Sequence, residues 1–262
     1  MGIKVTLPLS PPSSQNSERS SKKRKHNETL TQYSEFSESR KYGKLETIKA
    51  WEQLNYHGKI AAIDVETSGL NIKNDRVVQI AIVIMDSAYK EYISFSSYVK
   101  PDDDFVMPEE ASAIHHITTQ QLCHAPTFKT LWTDQIRHLL QDAIIVGYNI
   151  LQFDLPIIQA ELERCGLSWK YSNHCIDLMQ FYHAYHGMGL SQAYRWYTGE
   201  HINFELQHDA FGDCISVLEM LPLTLSEHGY SEDVNQAVKE LENKPIGKRK
   251  RVAVKKWNST KK

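Results

Sequence analysis

No run of eighteen apolar residues occurs in this chain, so no membrane-spanning helix is expected. The apolar stretch near the start, in "MGIKVTLPLSPPSSQ", is too short for the core of a secretory signal. Cysteine is scarce. Cys123, Cys165, Cys175 and Cys214 are the only four and none forms a C-x-x-C pair, which argues for a reduced intracellular protein without a structural zinc. Positive charge is missing from the middle: residues 1–45 carry nine Lys and Arg against four Asp and Glu, residues 239–262 carry ten against two, and eleven bases face twenty-six acids between them. Such an acidic body is a poor polyanion binder, so any contact with nucleic acid must run through a metal or through the basic ends.

What is present suffices for a real core: 41% of the 262 residues are hydrophobic, enough for one large domain or two small ones. Residues 1–43 are rich in Ser, Pro, Lys and Glu without apolar periodicity and read as a disordered basic tail, as do residues 239–262. The folded domain is placed at 44–238. "KLETIKAWEQL" sets Leu45, Ile48, Trp51 and Leu54 at helical spacing, predicting a short amphipathic helix. "KIAAIDVE" predicts a buried strand, followed by "RVVQIAIVIM" and "EYISFSSYV" as an antiparallel meander. Residues 125–142 read as helix, "AIIVGYN" as strand, 152–166 as a helix ended by Gly166, and "HCIDLMQF" as a fifth strand running into helix. "HDAFGDCISVLEML" opens the last large helix, with Pro222 expected to limit it. A meander followed by strand–helix alternation implies an α/β domain, a mixed sheet covered by helices.

Alternate residues of a strand face the same side, so Asp64 and Glu66 point together, in line with Ile60 and Ala62, while Ala61, Ile63 and Val65 fill the opposite face. The two acids sit at the strand's carboxyl end, where open α/β sheets place ligands. They can equally be a D-x-E pair that ends a strand in water. Asp154 in "VGYNILQFDLP" reads as a helix N-cap or as a third carboxylate brought to the sheet's carboxyl end. "QHDAFGDC" offers His208 and Asp213, and Asp209 reads as a cap. Five helical residues rotate about 500°, so His208 and Asp213 can share a site only if His208 precedes the helix. Four carboxylates within about 4 Å repel by about 4 kcal/mol per pair at an effective dielectric of about 20. Divalent cations are the natural compensation, and an all-oxygen set suits Mg²⁺ or Mn²⁺. Two such ions can serve in-line phosphoryl substitution, which points to phosphodiester cleavage.

"AIDVETSGL", "VGYNILQFD" and "HDAFGD", in this order, resemble the three motifs of the DEDDh 3′→5′ exonucleases, of the DnaQ-like group in the ribonuclease H-like superfamily. The resemblance spans roughly residues 58–225 and takes in "PEEASAIHHIT" and "CIDLMQF", which is similar to the family's "D-T-L" strand. It implies a ribonuclease H-like mixed five-stranded sheet flanked by helices. It also implies Asp64, Glu66, Asp154 and Asp213 as ligands of two Mg²⁺ ions, Mn²⁺ substituting. Asp64 would bridge both ions, and Asp154 would act largely through water. His208 would be the general base, mostly neutral at pH 7 with an ordinary pKa near 6.5. Thr67, Gly69, Leu70 and Asn149 would contact the substrate, Leu70 wedging between bases. Departures from the pattern are Ser68 in place of Thr, Tyr148 in place of His, and His116 in place of Gly.

The implied activity is 3′→5′ exonucleolysis, DNA favoured, with release of nucleoside 5′-monophosphates. A ribonuclease trimming short RNAs or RNA tails would use the same residues. An inactive exonuclease fold serving as a nucleic-acid or polymerase-binding module is the reading from another class. A polymerase or repair partner would be a separate protein. "SKKRKH" and "KPIGKRKRVAVKK" look like nuclear-localisation signals if the source is eukaryotic, and equally like nucleic-acid contacts or solvated ends.

Overall fold

β2 (Lys59–Thr67) forms the middle of the sheet, because its run of small and branched apolar residues is suited to burial on both faces. The structure, a computed structural model, describes residues 41–44, 48, 51–89, 91–169, 174–183, 189–202 and 209–243. All of these lie within one of the chain's two units, Glu38–Lys262. β2 pairs antiparallel with β3 (Val77–Asp86), which pairs antiparallel with β4 (Glu91–Tyr98). On its other side β2 pairs parallel with β5 (Ala143–Gly147), and β5 with β6 (Cys175–Asp177). The meander and the two parallel strands are therefore those read from the sequence.

A short strand β1 (Lys41–Lys44) adds antiparallel to the outer edge of β4, giving the order β1-β4-β3-β2-β5-β6. "KYGK" has no apolar alternation to announce a strand. Its pairing comes from the open main-chain edge of β4. The amphipathic helix expected around Leu45–Leu54 is, among the described residues, only a 3₁₀ turn at Trp51–Gln53. Asn55 bridges Asp233 two residues after that turn, and residues 45–47, 49 and 50 lie outside the described residues.

Between β4 and β5 come α1 (Glu109–His115), α2 (Thr119–Leu122) and α3. The last is a continuous helical run of Phe128–Leu131, a π turn at Trp132–Ile136, and Arg137–Leu139. α4 (Asp154–Arg164) follows β5. It ends as expected at Gly166, whose φ is +69°, with Leu167 N–H donating to Leu162 O at 2.8 Å and Gly166 N–H to Glu163 O at 3.0 Å. This is a Schellman stop, which glycine enters without the Cβ penalty. α5 (Met179–His183), α6 (Leu190–Thr198), α7 (Ala210–Glu227) and α8 (Val234–Asn243) complete the order.

Pro222 does not limit α7. The helix runs through it to Glu227. A proline inside a helix costs about 3 kcal/mol, but Leu221, Thr224 and Leu225 on either side are all buried, and their packing offsets that cost. One face of the sheet packs Ile60 and Ala62 against Cys214, Val217, Leu218 and Leu221 of α7. The other packs Ala61, Ile63 and Val65 against Phe128, Trp132, Leu155, Ile158 and Leu162. The predicted division of β2 into two faces is thus observed.

His116 caps α1 at φ +61°, in the left-handed region, and its N–H donates to Ser112 O. Glycine enters that backbone without the cost a side chain brings. His116→Gly should raise stability by about 1 kcal/mol, since the left-handed conformation costs a non-glycine residue roughly 1–2 kcal/mol and the added unfolded-state freedom of Gly takes part of that back. Thermal melting of the two proteins checks this; an unchanged or lower midpoint would show that His116 holds its place through its side chain.

Candidate active site

Asp64 and Glu66 leave β2 on the face shared with Ile60 and Ala62, at the point where the apolar cover of α7 gives way to its first turn. A register shift between Glu66 and Thr67 marks a bulge directly after the second acid, beyond which Thr67 still pairs with Val77. Asp213, in the first turn of α7, meets them there. One carboxylate oxygen from each of Asp64, Glu66 and Asp213 lies within 4.8 Å of the other two.

Asp154 stands beside this group of three. It is the first residue of α4, and the capping position before it, Phe153, makes no side-chain cap bond. Asp154 is therefore not the N-cap that its sequence position also permitted. Its Oδ1 accepts the N–H of Val65 at 3.2 Å, which fastens it to the strand between Asp64 and Glu66. The same reversal holds at Asp209. It occupies the N-cap position of α7 without a cap bond, and its Oδ1 instead accepts from the Gln79 amide at 3.1 Å. Gln79 is the cross-strand neighbour of Glu66, and Tyr98 the neighbour of Gln79.

None of the ion pairs among the described residues engages these acids. Burial, then the charges of Asp154, Asp213, Glu66 and Asp209, holds the Asp64 carboxyl well above the usual range. Burial, with repulsion from Asp213, Asp209 and Asp154, pushes Glu66 up to about 8. Burial and Asp209 raise Asp213 to about 7. Asp154 rises to about 7 because burial outweighs the backbone hydrogen bonds that its carboxylate accepts. Carboxyls this reluctant to ionise together fit a site whose charge is balanced by a hard divalent cation, and the donor set is all oxygen.

Thr67 is the last residue of β2, and Gly69 and Leu70 lie in the turn after it: Thr67 Oγ1 donates to Gly69 O at 2.8 Å, and Leu70 is 86% exposed. Asn149 follows β5 at φ +63°, and its N–H donates to Asp177 Oδ1 at 2.9 Å. His208 lies outside the described residues, as do residues 1–40 and 244–262 of the basic tails; the inner ends of both tails are ordered, in β1 (Lys41–Lys44) and α8 (Val234–Asn243). α7 begins two residues after position 208, so that position precedes the helix in the chain.

Two residues without an assigned role turn out to brace the site. Asp177 is buried and accepts the main-chain N–H groups of Asn149, Leu151 and Met179, fixing the loop that leads into Asp154. Burial raises its pKa despite those three bonds. His115 is also buried. Its Nδ1 accepts the Ile117 N–H, which leaves Nε2 to donate to Thr67 O at 3.2 Å and hold the end of β2. The sequence signal for both was present in "CIDLMQF" and "PEEASAIHHIT", but as motif membership without a task.

Residues 61–221 match the family model of the exonucleases, RNase_T. The epsilon subunit of DNA polymerase III from Treponema pallidum is 34% identical over 110 residues, which cover 42% of this chain and 48% of that subunit. Exonuclease CP81 of Escherichia phage 186 is 29% identical over 172 residues, covering 61% of this chain and 84% of the phage protein. Among solved structures, E. coli Exonuclease I in complex with a dT13 oligonucleotide superposes with a TM-score of 0.55 at 21% identity, over 66% of this chain and 42% of that one, so the fold is shared. The chain spans about half the length of the Treponema subunit and of Exonuclease I. No helix among the described residues is long and apolar enough to cross a membrane.

Proposed function

This chain belongs to the exonuclease family, and from that premise we propose that it hydrolyses phosphodiester bonds at the 3′ ends of nucleic acid, DNA favoured, releasing nucleoside 5′-monophosphates. The observation that carries this reading is the convergence of Asp64, Glu66 and Asp213 within 4.8 Å at the end of the central strand, with Asp154 tied to the same strand. The relatives support the substrate class, being a DNA polymerase subunit and, in Exonuclease I, an enzyme seen with an oligo-dT.

Asp64, Glu66 and Asp213, with Asp154 alongside, are the residues that would hold two Mg²⁺ ions, Mn²⁺ substituting. Bound there, the ions supply Lewis acidity and charge neutralisation for in-line displacement at phosphorus. The chain's own residues do the rest. His208 takes the proton of the attacking water. The main chain around Thr67 and Gly69, together with Asn149, orients the terminal nucleotide, and Leu70 packs against its base. The catalytic domain is the unit that the sheet and its helices form from β1 (Lys41–Lys44) to α8 (Val234–Asn243), a few residues wider at each end than the 44–238 read from the sequence. The basic segments attract nucleic acid or, in a eukaryote, direct nuclear import, and the partner class is a polymerase or repair protein.

The test is an end-labelled oligonucleotide assay with Mg²⁺, on single- and double-stranded DNA and RNA, with 3′ and 5′ ends blocked in turn. Release of mononucleotides from free 3′ ends, blocked by a 3′ cap and by EDTA, is expected, with DNA cleaved faster than RNA. Cleavage that ignores the 3′ cap would remove the exonuclease reading, and faster cleavage of RNA would reverse the substrate preference.

A further inference from the structure

The turn between β2 and β3 presents an apolar side chain, Leu70, to solvent, and an exposed loop of this kind is ordinarily free to move. Here it is tied from two sides. Inside the turn, Asp75 Oδ1 accepts from Ser68 Oγ at 3.0 Å and Asp75 Oδ2 from Asn71 N–H at 2.7 Å. The same carboxylate lies against Gly69, where a Cβ would stand 2.6 Å from Oδ2. Outside the turn, Arg164 donates from one guanidinium nitrogen to Lys73 O at 2.7 Å and to Asp75 O at 3.0 Å. Its other terminal nitrogen pairs with Glu161 Oε1 at 3.1 Å. Glu161, only 1% exposed, also accepts from Arg76 Nε at 2.9 Å and Val77 N–H at 3.0 Å.

An isolated surface ion pair would contribute little. Arg164 differs because a buried carboxylate fixes its guanidinium and two main-chain carbonyls of the turn converge on it. Those two residues lie near the end of α4, the helix that begins with Asp154. One helix thus fastens both an acid of the site and the loop that carries Leu70.

We infer that Arg164 and Asp75 are positioning residues that hold the β2–β3 turn in its substrate-ready shape before the terminal nucleotide arrives. The inference rests on the exonuclease reading and adds to it how the Leu70 loop is made ready. Neither residue touches the acidic group, so neither is catalytic. A turn that is already ordered surrenders no conformational freedom on binding, and loosening it weakens binding while leaving the chemical step intact.

The test compares full-length wild type with Arg164→Ala and Asp75→Ala, each without substrate and in turnover. Arg164→Ala leaves Glu161 paired with Arg76, so the variant keeps its buried charge balanced. Amide hydrogen exchange is expected to quicken about tenfold in residues 68–76 of both variants, with α4 and the strands unchanged. On a single-stranded oligodeoxynucleotide with Mg²⁺, KM is expected to rise about tenfold and kcat to stay within about twofold. Unchanged exchange in the turn, or a fall in kcat at constant KM, overturns the inference. A wild type that protects the turn yet hydrolyses no 3′ end overturns the exonuclease reading instead, because exchange is read without substrate.

Discussion

Asp64→Asn and Asp213→Asn are each expected to lower hydrolysis of single-stranded DNA by about 10³-fold or more while the protein stays folded. The size follows from what the amide removes: an anionic oxygen from a set of three within 4.8 Å, worth about 4 kcal/mol in the transition state if one cation is misplaced or lost. The substitution is nearly isosteric, so the core around it is undisturbed. It also replaces a carboxylate that burial and its neighbours already resist ionising, so the fold has no reason to weaken. Asp209→Asn serves as the contrast. Its carboxylate is held by Gln79 outside the group of three, and a loss of less than about tenfold is expected. Turnover of each purified variant, with circular dichroism to confirm folding, decides the matter. Near-normal turnover in folded Asp64→Asn would place the chemistry elsewhere.

The acids at 64 and 66 were legible because a strand has a period of two, and the apolar residues before them fix which face they share. The two parallel strands were legible because each is a short apolar run followed by helix-forming sequence. What escaped the sequence is what tertiary pairing decides. Asp154 opens α4 and Asp209 holds the N-cap position of α7, yet neither caps its helix: each turns to a strand, one to Val65 N–H and the other to Gln79. Local preference cannot reveal that a distant amide competes better for the carboxylate. β1 pairs with an edge that belongs to residues about fifty positions later, and Pro222 stays helical because of side chains that pack on the sheet. The clamp of Arg164 on the β2–β3 turn crosses about ninety residues of sequence, and no periodicity announces it.

The second large effect is on stability, and it runs opposite to ordinary acid behaviour. A carboxyl whose pKa is raised in the folded protein binds its proton there more tightly than in the unfolded chain. Its contribution to stability is complete below the unfolded pKa, near 4, and is lost as pH rises through the folded value. Glu66 near 8 and Asp154 and Asp213 near 7 place that loss between about pH 4 and pH 8. In EDTA the protein should therefore melt higher at pH 5 than at pH 8, by roughly 10 °C for a cost of about 3 kcal/mol in a domain of this size. Saturating Mg²⁺ at pH 8 should recover most of the difference, since a ligand that binds only the folded state stabilises it. Asp64→Asn should melt higher than wild type at pH 8 in EDTA and gain less from Mg²⁺, because it has both less repulsion to relieve and a poorer set of donors. Scanning calorimetry of the two proteins at pH 5 and pH 8, with and without Mg²⁺, separates these terms. Identical midpoints in EDTA at both pH values would mean that the carboxylates do not share one buried space, and with that the electrostatic case for a cation between them would fail.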